Sequence, residues 1–293
     1  MRDEQSPRDL AAWLTLLAGQ EIPILRQTAR RLDEARHDMD RVSGRLITEI
    51  VLQDPLLAIR VLAYIQEVGS QRLRSDITNI ASAVMMLGVE PFFRAFDRPM
   101  TLESVLAGRP PALLGVLQAI LRTQRASRYA HEWAFARHDM NVEEVALAAL
   151  LHDIAEILLW CFAPELAIEL RCRLQADRNL HGSSVQQEVL GFALADLQLA
   201  LCQVWRLPAL LTTMMDDANA HLPRVQNVKL AVGLARHSTD GWTDPAIPGD
   251  LAAVQKMLHI SRATLLERLQ LPSELLPGLL QEGTAAAPDR SAW

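Results

Sequence analysis

The chain has 293 residues, of which 50% are hydrophobic and 22% are charged. This length predicts one large domain or two modest ones, and the composition excludes a disordered, collagen-like or low-complexity chain. The net charge of −6 argues against non-specific binding to nucleic acids or anionic membranes, and the 5% share of aromatic residues argues against a stacking surface for single-stranded nucleic acid.

The sequence predicts no membrane segment. Its longest uncharged runs end after about a dozen residues, whereas a membrane-spanning helix needs about 20. The N-terminus mixes acidic and basic residues and does not resemble a signal peptide. The three cysteines, Cys161, Cys172 and Cys202, are odd in number and far apart, which suits a reducing compartment. We therefore expect a cytoplasmic protein.

Helical periodicity runs through almost the whole chain. Ser43 is a predicted N-cap, and Asp54 followed by Pro55 predicts the start of the next helix. Apolar residues then recur at helical spacing until Gly88, which is predicted to end that helix. No segment shows the alternation of a half-buried strand. The sequence thus predicts an all-α protein, a multi-helix bundle with an N-terminal helical lobe.

Domain boundaries are marked only weakly. The dipeptide Pro110-Pro111 and the turn-rich stretch 238–249 are the clearest interruptions. We predict an N-terminal lobe, a central lobe, a C-terminal helical closure and a frayed tail, over 10–109, 110–222, 223–282 and 283–293.

The most informative helix is predicted to begin at Asn141, with Glu144 three residues later as in a capping box. The residues that follow are apolar on nearly every face, which is typical of a helix buried in a bundle. Three ionisable residues interrupt them: His152, Asp153 and Glu156. Helical spacing places His152 and Glu156 on one face. Because burying such groups is costly, they either serve a site or are partnered within the protein.

The adjacent histidine and aspartate resemble those of the HD superfamily of metal-dependent phosphohydrolases. Five blocks follow one another over about 22–218: IPIL at 22–25, DPLLAIRVL from Asp54, IASAVMMLG at 80–88, ALAALLHDIAEILL at 146–159 and EVLGFALADLQLALCQVWRLP at 188–208. In this order they more closely resemble the HDOD (HD-related output domain) family of bacterial signalling proteins. The resemblance implies a helical signalling module.

In the HD superfamily a further histidine, the HD pair and a distant aspartate hold a divalent metal. This chain has no histidine at 122–124, where the resemblance expects the first one, and has Leu194 where family members often carry another. An arginine at 122 would repel a metal, and one HD pair supplies at most two ligands, whereas a catalytic metal takes at least three. We therefore predict no metal, no cofactor and no catalytic residue, and interpret His152 and Asp153 as a vestigial pair.

The predicted remnant of the active site is a cleft between the lobes. Arg122, Arg125, His152, Asp153 and Glu156 are expected to lie near each other in it. The cleft is predicted to bind a signalling protein in trans or a nucleotide-type small ligand, which makes the chain a non-enzymatic regulatory module. The alternative from the same residues is a divergent metal-dependent phosphohydrolase.

Other candidate residues are more simply structural. Asp216 and Asp217 could be the distant metal-binding aspartate, but we favour a helix end beside solvent. His221 and His237 are predicted on the surface. Three tryptophans on apolar helical faces, Trp133, Trp160 and Trp205, are predicted in the core.

The pattern of segment 251–271, an apolar helix, a short turn and a second helix capped by Ser261, is typical of a helix-turn-helix. DNA-binding units of this kind usually bring several basic residues. Here the net charge is weakly positive, with Arg262 the candidate DNA contact. DNA binding is therefore the second alternative, and closing helices of a bundle explain the pattern better.

Overall fold

The computed structural model describes residues 9–69, 77–176, 181–271 and 274–280. Within them the chain is helical, and the β-type pairing is confined to an isolated bridge between Ile24 and Thr101. The all-α prediction is therefore confirmed. The helices are α1 Leu10–Ala18, α2 Arg26–His37, α3 Gly44–Val51, α4 Pro55–Gly69, α5 Ile80–Leu87, α6 Val89–Ala95, α7 Leu102–Val105, α8 Pro110–Ala136, α9 Val142–Leu151, α10 Ile154–Phe162, α11 Pro164–Ala176, α12 Gly182–Leu190, α13 Leu194–Val204, α14 Ala209–Met215, α15 Pro223–His237, α16 Ile247–Leu258, α17 Arg262–Arg268 and α18 Leu276–Leu280.

The predicted helix ends in the first part of the chain are confirmed. The hydroxyl of Ser43 accepts a hydrogen bond from the backbone of α3, and the carboxylate of Asp54 accepts one from the backbone of α4. Gly88 ends α5 with a φ of 78°, in the region that favours glycine. The other carboxylate oxygen of Asp54 accepts from the backbone N–H of Leu25 at 2.8 Å. One buried aspartate therefore joins α4 to the residues that precede α2.

The helix that carries the histidine–aspartate pair differs from the prediction in two ways. Asn141 makes no side-chain cap bond, and Glu144 accepts hydrogen bonds from the side chains of Thr78 and Asn79, both at 2.9 Å. The predicted capping box is thus wrong, because Glu144 ties α9 to the start of α5. The helix is also not continuous: α9 ends at Leu151, and α10 begins at Ile154.

The core lies around the long helix α8, which packs against α9, α10 and α15. Trp133 and Trp160 are buried in it as predicted, and Trp205 is half-buried. The first helix, α1, packs against α13, so the predicted N-terminal and central lobes touch. The lobe boundaries themselves stay a prediction, and the predicted tail at 283–293 lies outside the described residues.

Among the described residues, one stretch, Val142–Phe162, is long and apolar enough to cross a membrane. However, 78% of its most apolar window is buried inside the protein. Such burial is typical of core helices, so the stretch gives only weak support for a membrane span.

Candidate functional site

A cavity of about 1320 Å³ lies beside the break between α9 and α10. Most of its lining comes from α8, α10, α11, α13, α15 and α16, and from the loop that joins the last two. Arg122, His152, Asp153 and Glu156 line it together, as the sequence predicted. The predicted position of the cleft is wrong, however, because the lining runs from Gly115 to Ala253 and includes no described residue of the predicted N-terminal lobe. Arg125, predicted to line the same cleft, does not. One turn further along α8 its guanidinium donates to the carbonyl oxygen of Ser238 at 3.0 Å.

The break that places the pair at the cavity is held by Gln198 of α13, which is 3% exposed. Its side-chain nitrogen donates to the carbonyl oxygen of Leu151, and its side-chain oxygen accepts from the backbone N–H of Ala155, both at 3.0 Å. These two backbone groups flank the interruption. A buried backbone group without a hydrogen-bond partner is costly. Because Gln198 bonds both of these groups, it stabilises the helix break within the core.

Asp153 is the centre of a charged cluster. It receives hydrogen bonds from Arg122 of α8 and Arg236 of α15, each with its nearest guanidinium nitrogen at 3.1 Å. The Nδ1 atom of His152 lies 3.0 Å from the same carboxylate. Burial by itself raises the pKa of Asp153, but Arg236, Arg122 and His152 together hold that pKa well below its usual range. Asp153 is therefore a buried carboxylate in its ionised form.

Arg122 joins Asp153 to a second carboxylate, that of Glu156. The same guanidinium nitrogen lies 2.5 Å from Glu156 and 3.1 Å from Asp153. Burial lowers the pKa of Arg122, but the charges of Glu156 and Asp153 outweigh burial and raise it. In the HD superfamily the first metal-binding histidine would stand at this position. Here the position is filled by a permanent cation, which lies between two carboxylates.

The other side of His152 faces Asp217, which follows α14. The Nε2 atom lies 3.9 Å from the nearer Asp217 oxygen, and Lys229 of α15 lies 3.6 Å from the other. Burial lowers the pKa of His152, but Asp153 and Asp217 outweigh it and raise that pKa to about 9. Asp217 does stand at a helix end, partly exposed, but it is a member of the cluster. The prediction that it simply faces solvent is therefore incomplete.

A second histidine–aspartate pair stands elsewhere in the cavity wall. The Nδ1 atom of His237, at the end of α15, lies 2.6 Å from a carboxylate oxygen of Asp250 in α16. Both side chains are largely buried, so the prediction of a surface position for His237 is wrong. His221 is exposed, as predicted.

The sequence analysis did not identify Arg236, Lys229 or Gln198. Gln198 carried a recognisable signal, since it is an amide between two leucines of an apolar helix. The two basic residues carried none, because helical spacing does not show which residues of distant helices meet.

The resemblance to the HD superfamily implies a divalent metal at the HD pair, and the residues present do not fit one. Both carboxylate oxygens of Asp153 accept from arginine N–H groups, and the guanidinium of Arg122 fills the space between Asp153 and Glu156. A metal would have to displace two cations from its main ligand. Among the described residues, no three His, Cys, Asp or Glu side chains are grouped so that they could hold a metal ion.

Comparison with known proteins decides the family. The model of the HDOD domain matches residues 22–221, which is more than half of the chain. The chain belongs to the HDOD family. No protein among those with curated descriptions matches this HDOD protein.

Two solved structures share the fold of this HDOD protein. One is the MmoQ response regulator from Methylococcus capsulatus, with 14% identity over 90% of this chain and 99% of that one and a TM-score of 0.61. The other is a virulence factor from Campylobacter jejuni, with 16% identity over 97% of this chain and 96% of that one and a TM-score of 0.63. At these identities the likeness concerns the fold alone.

Proposed function

We propose that this HDOD protein is a non-enzymatic signalling module whose cavity receives a partner instead of hydrolysing a phosphoester. The observation that carries the proposal is the pair of arginines on Asp153. They satisfy the carboxylate that a hydrolytic metal would need, and they do so from two different helices. A signalling role also agrees with the description of MmoQ as a response regulator. The expected location is the cytoplasm.

The partner is expected to be a signalling protein supplied in trans. A nucleotide-type small ligand is the other form of the proposal, but carboxylates outnumber basic side chains in the cavity wall, which disfavours phosphate groups. DNA binding has no support from the candidate helix-turn-helix. The guanidinium of Arg262 faces the carbonyl oxygens of Leu279 and Pro248, so it is turned toward the protein.

The divergent phosphohydrolase is tested by metal content and activity. Protein purified without chelators is analysed for iron, manganese and nickel, and then assayed with added manganese against a chromogenic phosphodiester and cyclic dinucleotides. We expect no stoichiometric metal and no hydrolysis above that of His152→Ala. A bound metal or an activity that His152→Ala abolishes would refute the proposal.

The role of the cavity is tested by filling it. Gly233 of α15 lines the cavity, and a Cβ atom added there meets nothing within 4 Å. Gly233→Trp should therefore project a large ring into the cavity, while Leu121→Trp, at a 60% exposed position outside it, is the matched control. Cross-linking in the source cells, followed by mass spectrometry, should recover a signalling protein with the wild type and Leu121→Trp, and lose it with Gly233→Trp. Equal recovery with all three would refute docking in the cavity.

A further inference from the structure

The lining of the cavity includes exposed parts of several leucines. Leu174 of α11, Leu194 and Leu199 of α13 and Leu230 of α15 all line it, and each is only half-buried. Leu194 stands where family members often carry a histidine, so this chain has an apolar side chain at that position. Half-buried leucines from three helices offer a surface on which the apolar side chains of a partner can be buried.

The same lining carries an excess of acid. The eight carboxylates in the lining are Asp153, Glu156, Asp196, Asp216, Asp217, Asp240, Asp244 and Asp250, and the four permanent cations are Arg122, Arg171, Lys229 and Arg236. Protonation of His152, whose pKa is about 9, does not cancel this excess. The field in the cavity is therefore negative and favours a cationic occupant.

The basic side chains of the lining are already engaged inside the protein. Arg122 and Arg236 bind Asp153, Lys229 lies 3.6 Å from Asp217, and the guanidinium of Arg171 lies 6.0 Å from the centre of a Trp160 ring. They are thus poorly placed to meet the phosphates of a ligand.

Three carboxylates at the cavity, Asp196, Asp240 and Asp244, differ from the central ones. Asp196 and Asp240 are exposed and Asp244 is half-buried. Within the described part of the chain, no ion pair joins any of the three to a basic side chain. Asp244 accepts a hydrogen bond from the backbone N–H of Ala246 at 2.8 Å, which does not neutralise its charge. All three carboxylates can therefore bind cations from outside.

The size of the cavity favours a protein segment over a small molecule as its occupant. Pockets for small ligands typically measure about 300–1,000 Å³. This cavity measures about 1320 Å³ and runs past helices from α8 to α16. An amphipathic helix that lays its apolar face into a groove is a common mode of recognition at this scale.

We infer that the cavity binds a basic amphipathic segment of a protein partner. Its apolar side chains pack against Leu174, Leu194, Leu199 and Leu230, and its lysines or arginines meet the rim carboxylates Asp196, Asp240 and Asp244. The inference rests on the proposed function and names the chemistry of the partner.

The probe is a fluorescein-labelled amphipathic helical peptide of leucine and lysine, about 14 residues long. A peptide with glutamate in place of lysine is its counterpart. Fluorescence anisotropy with the full chain should show saturable binding of the lysine peptide that weakens as salt is added. The glutamate peptide should not bind. Absence of binding by the lysine peptide, or binding of both peptides alike, overturns the inference.

A matched pair of triple variants separates the cavity from the net charge of the chain. The rim variant combines Asp196→Asn, Asp240→Asn and Asp244→Asn. The control combines Glu34→Gln, Glu90→Gln and Glu143→Gln, at exposed positions outside the cavity. Both remove three negative charges, and thermal melts check that both fold. The dissociation constant of the lysine peptide should rise about fivefold or more in the rim variant alone. An equal change in both triples indicates non-specific attraction and overturns the inference.

This outcome is distinguishable from failure of the proposed function. Suppose that Gly233→Trp abolishes cross-linking of a cellular partner, but the rim variant binds the lysine peptide like the wild type. The cavity is then a docking site, and the inference about basic partners is wrong. If both experiments are negative, both proposals fall.

Discussion

Raising the pH from 6.5 to 9.5 should weaken the fold through His152. The pKa of this histidine is raised to about 9 in the folded chain, from an ordinary value of 6.5. A raised pKa means that the folded state holds the proton more tightly than the unfolded state. The resulting stabilisation is complete below pH 6.5 and is lost as the pH rises through 9.

The magnitude follows from the size of this pKa difference. Each pKa unit corresponds to about 1.4 kcal/mol, so the protonated His152 contributes about 3 kcal/mol to the free energy of unfolding at pH 6. The side chain is 17% exposed, so solvent screening reduces this figure only modestly. Asp153 acts in the opposite pH range. Its lowered pKa stabilises the fold above about pH 4, and this contribution is lost as the pH falls further.

The assay is urea unfolding of the wild type and of His152→Gln between pH 6 and 9.5. The difference in unfolding free energy between the two should be about 3 kcal/mol at pH 6 and should shrink towards zero at pH 9.5. His221→Gln, at an exposed histidine, is the control and should follow the wild type at every pH. A difference that does not change with pH would refute the assignment of a proton to the His152 ring.

Three further predictions concern packing and buried bonds, each measured by urea unfolding near neutral pH. Gly115→Ala should lower the free energy of unfolding by about 1–3 kcal/mol, because its Cβ would lie 2.5 Å from the Trp160 ring. Gly233→Ala should leave that free energy unchanged or raise it by up to about 1 kcal/mol, and destabilisation by both variants would contradict this. Arg122→Met should cost about 3 kcal/mol, and a loss below about 1 kcal/mol would show that the cluster contributes little. Gln198→Leu should cost about 2 kcal/mol through the two backbone groups at the helix break, and an unchanged stability would contradict the role given to Gln198.

The helix ends that could be predicted are those set by residues close together in the sequence. Ser43, Asp54, Gly88 and Ser261 each cap or end a helix in the structure, as expected from the sequence. An N-cap depends on a side chain and a backbone N–H two or three residues away. The end at Gly88 depends on the positive φ that glycine adopts easily. Both signals are visible in a short window of sequence. The fold class followed from the same local information.

The capping box and the continuous helix could not be predicted correctly, for a physical reason. Glu144 had the right spacing for a local cap, but Thr78 and Asn79, more than 60 residues away, supply its hydrogen bonds. The break at 152–153 has no glycine or proline to mark it. It depends on the amide of Gln198, which comes from another helix.

The candidate site was predicted in its centre and missed at its edges. The structure places Arg122 beside Asp153, where its position in the sequence, relative to the HD superfamily, predicted it. Arg236, which shares Asp153 with it, lies 83 residues from that aspartate along the chain. Local patterns do not encode such pairings, and they emerge only when the helices pack.

The charges in this cluster show how the protein's own side chains can neutralise a buried histidine–aspartate pair. A buried carboxylate such as Asp153 requires nearby positive charge, and the two guanidinium groups of Arg122 and Arg236 bring the same formal charge as one divalent cation. The difference is where the charge is anchored. An ion can leave, whereas these cations belong to α8 and α15 and tie both helices to the break between α9 and α10. The charge that neutralises Asp153 is therefore part of the fold itself.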